Sequence, residues 1–128
     1  MITGLHHVSM KYGTPEDFQR AKAFYCDILG LTVRREWPEG VLLDTGSGLI
    51  EIFNNGEGQR SVGAVRHFAM ADTSVDTTAE KLRRAGYEVF LGPKDISIGS
   101  VREEPGYPAR IAFCFGPLGE EIELFQEL

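Results

Sequence analysis

Two histidines and two glutamates recur at matching places along this chain of 128 residues. His7 stands in Leu5-His6-His7-Val8-Ser9-Met10, and His67 stands sixty residues later in Val65-Arg66-His67-Phe68-Ala69-Met70. Glu51 stands in Ile50-Glu51-Ile52-Phe53, and Glu123 seventy-two residues later in Ile122-Glu123-Leu124-Phe125. Taken singly, a glutamate on the open face of an antiparallel strand is ordinarily just solvated, and a strand histidine is ordinarily a hydrogen-bonded packing residue. Repetition changes that reading, because the same polar types return at the same place in both halves of the chain. Two imidazoles and two carboxylates converging on one concave sheet suit a borderline divalent cation, with coordination positions left for water or substrate. The expected ligand set is therefore His7, Glu51, His67 and Glu123. His6 competes with His7, but its counterpart in the repeat is Arg66, so it reads as an outward-facing residue. Cys114 has no Cys-His context around it. Together with Cys26 it lies outside any CxxC pattern, and both read as reduced, buried thiols.

The elements that must position these residues follow from local signals. Strand side chains alternate, so Ile50 and Ile52 beside Glu51, and Ile122 and Leu124 beside Glu123, face a core and turn each glutamate away from it. Between the repeated marks each half carries a helix. Thr14 reads as an N-cap, Pro15 as the first helical residue, Glu16 and Asp17 as first-turn acids and Gly30 as the stop, with Phe18, Ala21, Tyr25 and Ile28 on the buried face. The second, shorter helix starts near Thr73 or Ser74, buries Val75, Ala79 and Leu82, and stops at Gly86. Strands are expected over 31–36, 41–44 and 49–53, then over 87–90, 111–115 and 121–125. The plan is βαβββ twice, an α+β class, in one domain made of two modules at about 1–56 and 64–128. Gly30 to Glu51 spans 21 residues whereas Gly86 to Glu123 spans 37. The excess is assigned to a long loop over 91–108, where glycines and prolines cluster. Trp37, Phe53, Phe115 and Phe125 read as core aromatics, with the lining of an apolar pocket as the alternative.

Composition narrows the function classes. Hydrophobic residues make up 42% and charged residues 25%, which is ordinary globular usage rather than disorder or a disulfide scaffold. A formal charge of −6 repels phosphate backbones, and Arg34, Arg35, Arg83 and Arg84 extend into no basic run, so nucleic acid is not an expected partner. No apolar run is long enough for a membrane span, and the first ten residues lack the pattern of a signal peptide, which leaves a cytoplasmic location as the expectation.

The same residues carry a family resemblance. The opening His7-Val8, Ala23-Phe24-Tyr25, Ile28-Leu29-Gly30-Leu31, Ile50-Glu51-Ile52-Phe53, Arg66-His67-Phe68-Ala69-Met70 and Gly119 with Ile122-Glu123-Leu124 resemble the vicinal oxygen chelate superfamily (the glyoxalase, bleomycin-resistance and dioxygenase group) and, within it, bacterial glyoxalase I or lactoylglutathione lyase. That resemblance implies a cup-shaped, mostly antiparallel sheet with the helices outside, and a homodimer. It implies one divalent metal per site, Ni²⁺ or Co²⁺ for so compact a chain, with Zn²⁺, Mn²⁺ and Fe²⁺ also compatible with these ligands. The implied substrate is a small molecule, a hemithioacetal of a 2-oxoaldehyde with glutathione or another thiol, isomerised through an enediolate to a 2-hydroxyacyl thioester. By resemblance Glu123 removes the proton and Glu51 is the opposite partner that returns it. The family's basic residue and asparagine, which grip the thiol's carboxylate end, fall at Lys11 and Asn55. Lys11 departs from the family's arginine and supplies a point charge without a bidentate fork. The alternatives are another metal enzyme of the superfamily, an epimerase or an Fe-dependent dioxygenase, and a small-molecule or antibiotic-binding resistance protein without catalysis.

Overall fold

The first helix begins where its capping residues place it. In the computed structural model, which describes residue 1 and residues 6–56, 67–98 and 105–128, α1 (Pro15–Ala23) opens with the Asp17 N–H donating to Thr14 Oγ1 at 3.1 Å. Leu5, Val65 and Arg66 of the repeated opening, and residues 99–104 of the expected loop, lie outside the described residues. Beyond Ala23 the helix widens into a π turn over Phe24–Ile28, and the Leu29 N–H reaches back five residues to the Phe24 carbonyl. The wider turn rotates the buried face. Phe24 joins Tyr25 in the core, their rings edge to face at 4.9 Å, while Ile28, which a regular helical spacing would bury, is left half-buried. Gly30, at φ +79°, ends the segment.

The chain divides into two compact units, Met1–Ser61 and Val62–Leu128. In the first, β1 (His7–Lys11), β2 (Thr32–Trp37), β3 (Gly40–Asp44) and β4 (Leu49–Phe53) form one sheet in the order β1-β4-β3-β2. The β1–β4 pair is parallel and the other pairs are antiparallel. Ile50, Ile52, Val41 and Leu43 are buried with Phe18 and Ala21 of α1. The open face of the sheet belongs to the alternate residues.

The second unit repeats this plan. Its sheet takes the order β5-β8-β7-β6, from β5 (Phe68–Ala71), β6 (Val89–Ile98), β7 (Tyr107–Phe115) and β8 (Glu121–Glu127), with β5 parallel to β8. The helix α2 (Val75–Arg84) packs Val75, Ala79 and Leu82 into the core beside Ala112, Cys114, Ile122 and Leu124. Its first turn is capped from a neighbouring strand: Gln126 Oε1 accepts from the Val75 N–H at 3.2 Å. Arg110 of β7 ties α2 to the sheet, donating from Nη2 to Asp76 at 2.8 Å and from Nη1 to Asp95 of β6 at 2.8 Å. The Arg110 guanidinium hydrogen-bonded to Asp76 holds that carboxyl below the usual aspartate range.

The expected 91–108 loop is corrected by the structure. Residues 89–98 and 107–115 are paired strands, so the excess length lies mainly in a long hairpin between β6 and β7. Gly92 and Pro93 do not break the chain there. They sit where the register shifts between Leu91 and Lys94, and Gly92 takes φ +77°. Glycine inside a strand marks a bulge as readily as a turn, and composition alone does not separate the two.

Candidate metal centre

In register, β1 sets Ser9 opposite Glu51, and β5 sets Ala69 opposite Glu123. His7 and His67 each stand two residues before those partners, and therefore on the same sheet face as the glutamate beside them. The structure gathers the expected residues two by two. His7 Nε2 lies 3.6 Å from Glu51 Oε1, and His67 Nε2 lies 3.2 Å from Glu123 Oε2. The imidazoles are 38% and 37% exposed and the carboxylates 17% and 12%, so each pair presents a ring edge to solvent above a largely covered carboxylate. Among the described residues no three His, Cys, Asp or Glu side chains come together as one group.

Local contacts orient each pair. His7 Nδ1 is 2.9 Å from His6 Nδ1, so one ring donates to the other, and this leaves His7 Nε2 as the atom turned to Glu51. His6 is exposed, as its place in the repeat implied, but it also braces its neighbour, with ring centroids 5.2 Å apart and edge to face. The Ser9 hydroxyl donates to Glu51 Oε1 at 2.9 Å. In the second unit the His67 ring stands edge-on to Phe113 at 5.1 Å, and Phe113 pairs across the strands with Glu123. Phe90 lies 5.9 Å from Phe113 and stacks on Phe115 at 4.3 Å, which makes an aromatic surface beside that pair.

The aromatics read as core are thereby corrected. Phe53, Phe115 and Phe125 alternate with the buried residues of their strands and share the glutamates' side of the sheet, each half-buried, and Trp37 meets Phe53 edge-on at 5.7 Å. Sequence reasoning passed over Ser9, Phe90 and Phe113. The available signal was parity, since Ser9 and His7 are two apart on one strand.

Lys11 is exposed on β1, with its ammonium 5.3 Å from the centroid of the Phe53 ring, a cation–π approach. Asn55 is exposed just beyond β4, whereas its neighbour Asn54 donates to the Pro38 carbonyl at 2.8 Å. Cys114 is fully buried, and burial pushes its thiol up to about 12.

The pairs suit a cation on donor chemistry. An imidazole nitrogen and a carboxylate oxygen, each bonded at about 2.0–2.2 Å to one ion, stand roughly 3.0–3.5 Å apart as adjacent ligands. The His67–Glu123 separation of 3.2 Å falls within that spacing, and the His7–Glu51 separation of 3.6 Å lies just beyond it.

The model of the Glyoxalase/Bleomycin resistance protein/Dioxygenase superfamily matches residues 4–124. The chain belongs to this superfamily. Its curated relatives include a probable lactoylglutathione lyase of Synechocystis sp., 29% identical over 95% of this chain and 94% of the relative. Among solved structures, a putative glyoxalase family protein from Bacillus anthracis is 20% identical, with a TM-score of 0.71 over 100% of this chain and 98% of that one. The fosfomycin resistance protein FosX from Listeria monocytogenes is 19% identical, with a TM-score of 0.70 over 100% and 96% of the two chains. Both structural likenesses speak to the superfamily fold, which hosts more than one chemistry.

Proposed function

We propose that the protein is a metal-dependent, glyoxalase I-like lyase acting on a hemithioacetal of a 2-oxoaldehyde, with His7, Glu51, His67 and Glu123 serving one divalent ion. The observation that carries this reading is the twinned His–Glu pair, built at the same register in both units. The name of the Synechocystis relative supports the reaction class. A single pair is half of a tetrahedral donor set, so the reading requires both pairs to meet on one ion, whether drawn from one chain or from two. When bound, the ion supplies Lewis acidity that stabilises the negative charge developing on the two adjacent substrate oxygens. Glu123 takes the proton from the carbon that bears the thioether and the hydroxyl; Glu51 takes that hydroxyl's proton and returns it to the neighbouring carbon, and Glu123 gives its proton to the oxygen that becomes the product hydroxyl, so both carboxylates end as they began. The net change is an isomerisation and needs no external oxidant. The aromatic surface of Phe90, Phe113 and Phe115 excludes water on the Glu123 side. Lys11 and Asn55 hold the thiol's acidic end.

The test combines elemental analysis of protein purified without added metal with an isomerisation assay on methylglyoxal plus glutathione. The expected outcome is bound divalent metal and turnover, with Glu123→Gln losing about 100-fold or more of kcat while the far-UV circular dichroism is kept. Full turnover by Glu123→Gln removes that residue from the chemistry. Bound metal without turnover favours a second reading, another metal enzyme of the superfamily, since one fold hosts more than one chemistry.

A further inference from the structure

The two units build their His–Glu pairs on one frame but differ in the residue of the first strand that stands opposite each glutamate. In β1, Ser9 stands opposite Glu51 and donates to Oε1 at 2.9 Å, the same oxygen that faces His7 Nε2 at 3.6 Å. In β5 the matching residue opposite Glu123 is Ala69, which has no hydrogen bond to offer. One oxygen of the Glu51 carboxylate therefore accepts from a hydroxyl while facing an imidazole. A hydroxyl bonded to a carboxylate restricts its rotamers, and partners that orient a ligating group are a regular source of metal affinity.

We propose that Ser9 is a positioning residue, whose hydroxyl fixes Glu51 toward His7 so that the first pair is preorganised for its cation. This inference rests on the metal reading above and adds to it a residue outside the four proposed ligands. Preorganisation predicts an effect on affinity for the ion that is separable from an effect on folding.

The experiment titrates Co²⁺ into metal-stripped, full-length wild type, Ser9→Ala and Ser9→Thr, following the visible absorption band, and records the melting temperature of each metal-free protein. The expected result is a Kd for Co²⁺ about 10-fold weaker in Ser9→Ala and within about twofold of wild type in Ser9→Thr, with the metal-free melting temperatures close together. Co²⁺ binding by wild type with no change in Ser9→Ala overturns the role of Ser9 alone. A lower metal-free melting temperature in Ser9→Ala with unchanged Kd also overturns it, and marks the hydroxyl as structural. Failure of wild type to take up Co²⁺ overturns the metal reading, and the role of Ser9 with it.

Discussion

At Cys114 the strand alternation that turns Glu123 outward turns a thiol inward, and the surrounding apolar side chains raise the cost of ionising it. Burial pushes the Cys114 thiol from 9.0 up to about 12, and burial followed by the charge of Asp27 raises Cys26 as well. Because the thiolate is the reactive form, native protein at about pH 7.5 should react with Ellman's reagent far more slowly than protein in guanidinium, where both thiols titrate. Native labelling as fast as in the unfolded chain would refute the burial. The sign of the pH effect follows. Cys114 keeps its proton in the folded state while the unfolded chain loses it, so its contribution to stability is whole below pH 9.0 and is lost as pH rises toward about 12. The pairing of His7 with Glu51 and of His67 with Glu123 was legible in part because each type recurs. Ser9 was legible only in part, since parity puts it on the face of His7 but only the β1–β4 register puts it opposite Glu51.

Among the elements, the long β6–β7 hairpin shows where sequence punctuation misleads. Gly92 carries φ +77°, and a methyl group there would collide with the Ile111 carbonyl across the ladder. Gly92→Ala should therefore destabilise the protein by more than about 1 kcal/mol, read as a lower urea midpoint with an unchanged slope. An unchanged midpoint would mean that the bulge does not need its glycine. The helices were read closely because caps and stops are local: Thr14 accepts from Asp17, and Gly30 and Gly86 take positive φ. The π turn over Phe24–Ile28 was not, because no residue in it carries a local signal for the wider turn. Strand pairing was legible only in part. Alternation assigns faces, but register needs the partner strand.

For the whole molecule, a formal charge of −6 favours cations over phosphates at long range. Binding that is confined to the native state adds stability by mass action, about 2.7 kcal/mol when the free ion stands at a hundred times its Kd. The melting temperature should accordingly rise with excess Ni²⁺ or Co²⁺ and fall back when EDTA is added. A melting curve indifferent to both would argue against a shared cation. Among the described residues no helix is long and apolar enough to cross a membrane.

The parallel pairing of β1 with β4, and of β5 with β8, has a consequence for the order of assembly. In each unit the strand nearest the histidine is made first and the one bearing the glutamate last, yet they lie side by side. Contacts of such large sequence separation close slowly and reward the chain only when the intervening segments are already in place. A growing polypeptide that ends before residue 49 carries the first imidazole with no carboxylate to meet it. Juxtaposition of the two groups thus waits, in each unit, until that unit's last strand has been synthesised.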